Sequence, residues 1–96
     1  MELDQDQRKQ LRRLGHALKP VVLTGAAGLT EGVLGEIERA LDDHELIKVK
    51  LAGAGKEERR EMVQEIAEET GAAVVQTIGR VVLLYRENPD NKQVLC

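Results

Sequence analysis

The segment AAVVQTIGRVVLLYR, Ala72–Arg86, decides how this chain can fold. Two runs of aliphatic and β-branched residues flank Gly79-Arg80, and a two-residue connection with glycine first suits a type II′ hairpin. Counted outward from that turn, Val74, Gln76, Ile78, Val81, Leu83 and Tyr85 fall on one face. Ala73, Val75, Thr77, Val82, Leu84 and Arg86 fall on the other. Both faces are mainly apolar, so neither can be left in water, and helices are expected on both sides of the sheet that holds this hairpin.

Upstream, Gly71 stands where a helix over 57–70 would end, with Met62, Val63, Ile66 and Ala67 as its buried stripe. Before it, LIKVKL (Leu46–Leu51) alternates Ile47, Val49 and Leu51 with Lys48 and Lys50, the period of a strand with one face in the core. The two lysines share the other face. Further back, VVLTGAAGLTEGV (Val21–Val33) runs a short buried strand into Gly25-Ala26-Ala27-Gly28, and then into a helix capped by Thr30. Leu29 and Leu34 flank that cap as a hydrophobic staple, and Val33, Ile37, Ala40 and Leu41 form the helix stripe. At the front, Asp4 and Gln7 stand in capping-box relation. Leu11, Leu14 and Leu18 then recur at helical spacing, to an expected end near Lys19, before Pro20. The order helix, strand, helix, strand, helix, strand, strand predicts an α/β domain over 1–86 with a mixed sheet, because crossover helices allow parallel neighbours while the hairpin is antiparallel. Residues 87–96, ENPDNKQVLC, have no periodicity and read as a loose tail.

A chain of 96 residues is one domain's worth, too short for a large catalytic cleft with its own supporting shells. The single cysteine, Cys96, excludes an intrachain disulfide and fits a reducing compartment; the expected location is the cytoplasm. No apolar run reaches the length of a membrane span, and MELDQDQRKQ has no hydrophobic signal core. The formal charge is −3, but it is unevenly spread. Residues 25–46 carry six acids against Arg39 alone, whereas the charges of residues 8–19 are all basic: Arg8, Lys9, Arg12, Arg13 and Lys19. A fold that sorts these blocks can present a basic patch on an acidic protein. Tyr85 is the sole aromatic, so stacking of unpaired bases on a ring platform is nearly excluded.

Catalytic and cofactor motifs fail on inspection. GAGKEE (Gly53–Glu58) lacks the first glycine and the Ser/Thr of a phosphate loop, since Lys50 and Glu57 occupy those places. GAAG lacks the G-x-G-x-x-G spacing of a dinucleotide site, and His16, His44 and Cys96 match no metal spacing. The acids of the third helix have no partner to tune a catalytic pair. No enzyme activity, metal, cofactor or small-molecule substrate is expected. Gly25-Ala26-Ala27-Gly28 has two readings: a plain strand-to-helix turn, which the spacing alone favours, or a backbone surface that meets a phosphate at the start of a helix.

LKPVVLTGAAGLTEGV, IERALDDHELIKVKL and TIGRVVLLYR, in that order, resemble the CRM domain, an RNA-binding module, and above all its free-standing bacterial YhbY-like form. The resemblance covers about residues 5–86. It implies a four-stranded mixed sheet similar to the C-terminal domain of translation initiation factor 3, and binding of structured RNA in precursors of the large ribosomal subunit. It places the family's G-x-x-G loop on Gly25, Ala26, Ala27 and Gly28 and its basic surface on Lys48 and Lys50. Family loops often hold a basic or polar residue between the glycines; this one holds two alanines. The expected phosphate contacts are therefore the loop amides, with Lys19, Lys48, Lys50, Arg80 and the first-helix arginines Arg8 and Arg12. The alternative is a protein adaptor whose acidic second and third helices meet a basic ribosomal or assembly partner.

Overall fold

In the computed structural model, which describes residues 3–25, 27–53 and 55–90, the elements follow the expected order: α1 (Gln5–Gly15), β1 (Pro20–Thr24), α2 (Glu31–His44), β2 (Leu46–Leu51), α3 (Lys56–Thr70), β3 (Ala73–Ile78) and β4 (Val81–Tyr85). The strands form one mixed sheet in the order β1-β2-β4-β3, with β1 parallel to β2 and both β2–β4 and β3–β4 antiparallel. The two interior strands carry the apolar pattern that demanded cover on both sides. Leu46, Leu83 and Tyr85 meet Leu11 of α1 on one face, while Ile47, Val49, Leu51, Val82 and Leu84 meet Ile37 and Leu41 of α2 and Ile66 of α3 on the other. Leu11, Ile37, Leu41 and Ile66 have no exposed surface, and each contributes about 1.5–3 kcal/mol by leaving water. Among the described residues, no helix is long and apolar enough to cross a membrane.

The local signals explain most element boundaries. Asp4 and Gln7 form the capping box of α1, and the Thr30 hydroxyl accepts from the Val33 amide at the start of α2. Gly71 ends α3 in the left-handed conformation, and Gly79 supplies the positive φ of the β3–β4 turn.

Three expectations need correction. The first helix ends at Gly15, four residues short of Lys19, because the chain there comes against the sheet: a β-carbon on Gly15 would stand 2.6 Å from Leu83 Cδ2. Beyond it, the Leu18 amide bonds the Gly15 carbonyl and the turn swings into β1, leaving Leu14 43% exposed. Next, strict alternation in β3 breaks at a bulge between Val74 and Gln76, so Val75 packs with Leu83 and Tyr85 while Val74 joins the α2–α3 side. One extra residue reverses the face of everything before it, which exchanges the predicted positions of Ala73, Val74 and Val75. Lastly, β1 is buried on one face only. Val22 and Thr24 lie under α2, but Val21 and Leu23 are 53% and 60% exposed, because β1 is an edge strand and α1 passes over β2, β4 and β3 instead.

A polar clamp closes the far end. Arg86 donates from Nη1 to Glu38 Oε2 and the Thr70 carbonyl, both at 2.8 Å, and from Nη2 to Asp42 Oδ1 at 2.8 Å, joining the end of β4 to α2 and α3. Glu45, fully buried with φ 63, accepts from the Asn88 amide at 2.6 Å, and its carbonyl accepts from the Arg86 amide. The first residues of the segment read as a tail are thus tied to the end of α2; residues 91–96 lie outside the described residues. Arg86→Ala is expected to cost about 2–3 kcal/mol in urea unfolding. Arg86→Lys should fall between the two, since one ammonium cannot serve the partners that a planar fork reaches.

Candidate nucleic-acid interface

Topology gathers the loops at one end of the sheet. β1 and β2 are parallel, so their connections to α2 and α3 both leave from the carboxyl ends, and β4 runs against β2, which returns the β3–β4 turn to the same end. The Leu51 amide bonds the Arg80 carbonyl at 2.6 Å, and the Thr24 hydroxyl bonds the Ala52 carbonyl at 3.4 Å, so the three connections are laced together. Crevices outside the carboxyl ends of strands are common ligand positions in α/β folds.

Within the Gly25–Gly28 loop, the Gly28 amide donates to the Gly25 carbonyl at 3.0 Å, closing a tight turn, and Gly28 has φ +74. Its amide is therefore already used inside the loop, which removes one of the loop amides expected to contact a phosphate. Ala26 lies outside the described residues. Ala27 is exposed, and the amides of Glu31 and Gly32, ahead of the capped Val33, have no carbonyl within the helix to bind. Nothing lies within 4 Å of a β-carbon built on Gly25, which leaves open space over the loop's first residue.

Lys48 and Lys50 share the α1 side of β2, as the alternation predicts. Lys50 is exposed and lies in register between Leu23 of β1 and Val81 of β4. Because α1 stops at Gly15, this row stays uncovered, with Leu23 and Ile78 60% and 63% exposed. Lys48, one row inward, is half-buried and donates to the Leu18 carbonyl at 3.1 Å, holding the α1–β1 connection on the sheet. It also lines a hollow of about 260 Å³ with Gly15, His16, Gln76 and Val81.

The remaining predicted residues divide by position. Arg80, exposed in the β3–β4 turn, belongs to the loop end. Lys19 precedes β1 and so lies at the opposite end of that strand, roughly 20 Å of extended chain from Gly25. Arg8 donates to the Val74 carbonyl at 2.9 Å, at the bulge of β3 and away from the turn; Arg12 lies one turn further along the same stripe of α1. The structure thus brings Gly25, Ala27, Gly28, Lys50 and Arg80 together with Lys48 beside them, and holds Arg8 and Lys19 elsewhere. Lys56, Arg59 and Arg60 stand in a basic block of the sequence with Lys48 and Lys50 but were not among the expected contacts; they open α3 at the same end and line a cleft against the β3–β4 turn. Their 56, 59, 60 spacing on one helix face was the available signal.

Comparison with known proteins agrees with this architecture. The CRS1/YhbY (CRM) domain model matches residues 3–86. "Probable RNA-binding protein PA4753" of Pseudomonas aeruginosa is 53% identical, over 93% of this chain and 86% of that protein. An "RNA-binding protein" of Haemophilus influenzae is 52% identical, over 94% of this chain and 91% of its own length. The solution structure of hypothetical protein SAV1595 from Staphylococcus aureus superposes with a TM-score of 0.83 at 31% identity, over 98% of each chain. The chain belongs to the CRS1/YhbY (CRM) domain family.

The two loop glycines should respond differently to substitution. Gly28→Ala, forced to positive φ, is expected to lose about 1–2 kcal/mol. Gly25→Ala should stay within about 0.5 kcal/mol of the parent. Thermal melts of the two variants check this directly.

Proposed function

We propose that this protein binds structured RNA through the loop end of its sheet, and that its target is large-subunit ribosomal RNA or a precursor particle. The observation that carries the reading is the convergence of Lys50 and Arg80 on the Gly25–Gly28 turn, in a family whose relatives bear RNA-binding names. Exposed Ala27 and the first amides of α2 favour a phosphate, and Lys50 and Arg80 add charge without reading bases. Contacts of this kind position a nucleic acid, so selectivity comes from the fixed spacing of phosphates in a folded RNA. The chain carries no ring platform for unpaired bases, and aliphatic Leu23 and Ile78 beside Lys50 offer only contact area.

The adaptor reading keeps the outward acids of α3 and loses part of α2: of the six acids in residues 25–46, Glu38 and Asp42 are paired with Arg86 and Glu45 is buried, so three of them are engaged within the fold.

Lys50→Ala is expected to reduce the slope of log affinity against log salt by about 0.7–0.9, whereas Arg39→Ala on the outer face of α2 leaves it unchanged. Gly25→Ala, though stable, should weaken binding by placing a methyl group over the turn. Filter-binding titrations with a folded large-subunit RNA fragment, in competition with a pyrimidine homopolymer, measure both slope and preference. Equal competition by the homopolymer at matched nucleotide concentration would contradict recognition of RNA shape.

A further inference from the structure

The stripe of α3 that enters the core changes character along its length. Val63 packs against the apolar cluster under α2 and α3, and Ile66 and Thr70 are buried. One and two turns earlier, the same stripe carries Arg59, Arg60 and Lys56, while Glu57, Glu58 and Glu61 point away into solvent. At that end the helix runs beside the tip of the hairpin, where Thr77, in register with Val82, faces α3. Lys56, Arg59, Arg60, Val63, Thr77 and Gly79 enclose an open cleft of about 400 Å³.

Two features of this cluster are unfavourable in isolation. Lys56 and Arg60 stand four residues apart, so like charges are adjacent on the helix surface, and both sit in the first turns, where the helix dipole disfavours cations. An anion held between α3 and the hairpin offsets both effects at once.

We propose that this cleft is a second phosphate-binding site for the same RNA. Lys56, Arg59 and Arg60 hold one stretch of backbone on the α3 side of the sheet, and Thr77 contributes a hydroxyl donor from the hairpin. The site lies on the opposite face from Lys50, and the β3–β4 turn with Arg80 runs between them. An RNA backbone that crosses the end of the sheet therefore meets cations on both sides, which a short single strand lying on one face does not. This inference rests on the RNA-binding reading above and extends its footprint.

The test is the salt dependence of binding to a folded large-subunit RNA fragment. Lys56→Gln with Arg59→Gln and Arg60→Gln should make the slope shallower by about 2, at roughly 0.7 per lost contact. Thr77→Glu leaves the helix untouched and places a carboxylate in the cleft from the hairpin side, so it should weaken the same binding while the melting temperature stays near the parent's. A parent slope in the triple variant and parent affinity in Thr77→Glu, beside a reduced slope in Lys50→Ala, would overturn the cleft and leave the loop-end reading standing. A parent protein that does not bind the RNA at all would overturn both.

Discussion

The antiparallel pairing of β2 with β4 is the constraint from which the rest of the molecule follows. Both strands are interior and apolar on both sides, apart from Lys48 and Lys50, so no arrangement with one solvated sheet face is open to them. Cover on two sides requires α1 on one and α2 with α3 on the other. The chain meets that requirement with two crossovers whose connections must leave from the same end as the hairpin turn. The loop end is therefore a product of sheet topology, and Lys50 of β2 reaches it because the last row of an otherwise buried strand is the one α1 does not cover.

Charge is distributed by the same logic. An acidic chain presents cations at one end because many of its acids are occupied elsewhere or directed away. Arg86 draws Glu38 and Asp42 into a clamp between β4 and the two helices, Glu45 is enclosed at the end of α2, and the acids of α3 face outward. What is left around the three connections is Lys50, Arg80 and the cations that open α3. Net charge thus says little about this surface, whereas the placement of each charge on its element says a good deal.

Much of this was legible from residue pattern. The capping box of Asp4 and Gln7, the Thr30 cap, the alternation in Leu46–Leu51 and the glycine-first hairpin turn are local signals, and local energetics decide them. The features that escaped are those decided by tertiary contact. The bulge at Val75 is invisible to a count of alternate residues, since its only trace is which neighbours the side chains finally meet. Gly15 read as an ordinary helix position until Leu83 was placed against it, and Val21 and Leu23 looked buried because nothing in their composition tells an outer strand from an inner one. Arg8 resembled a surface cation but spends its guanidinium on the Val74 carbonyl. Lys56, Arg59 and Arg60 were hidden in the mixed-sign run KEERRE, whose sorting appears only when the residues are placed around a helix.

RNA is expected to meet the protein at the end of the sheet where the three connections converge. Amide hydrogen exchange, followed residue by residue with and without a folded large-subunit RNA fragment, tests it most directly. Slowed exchange is expected at Ala27, Gly28 and Leu29, at Lys50 and its neighbours, and across Gly79-Arg80, with α2's outward face around Arg39 unchanged. Protection confined to that face of α2, with the loop end exchanging as in the free protein, would contradict it.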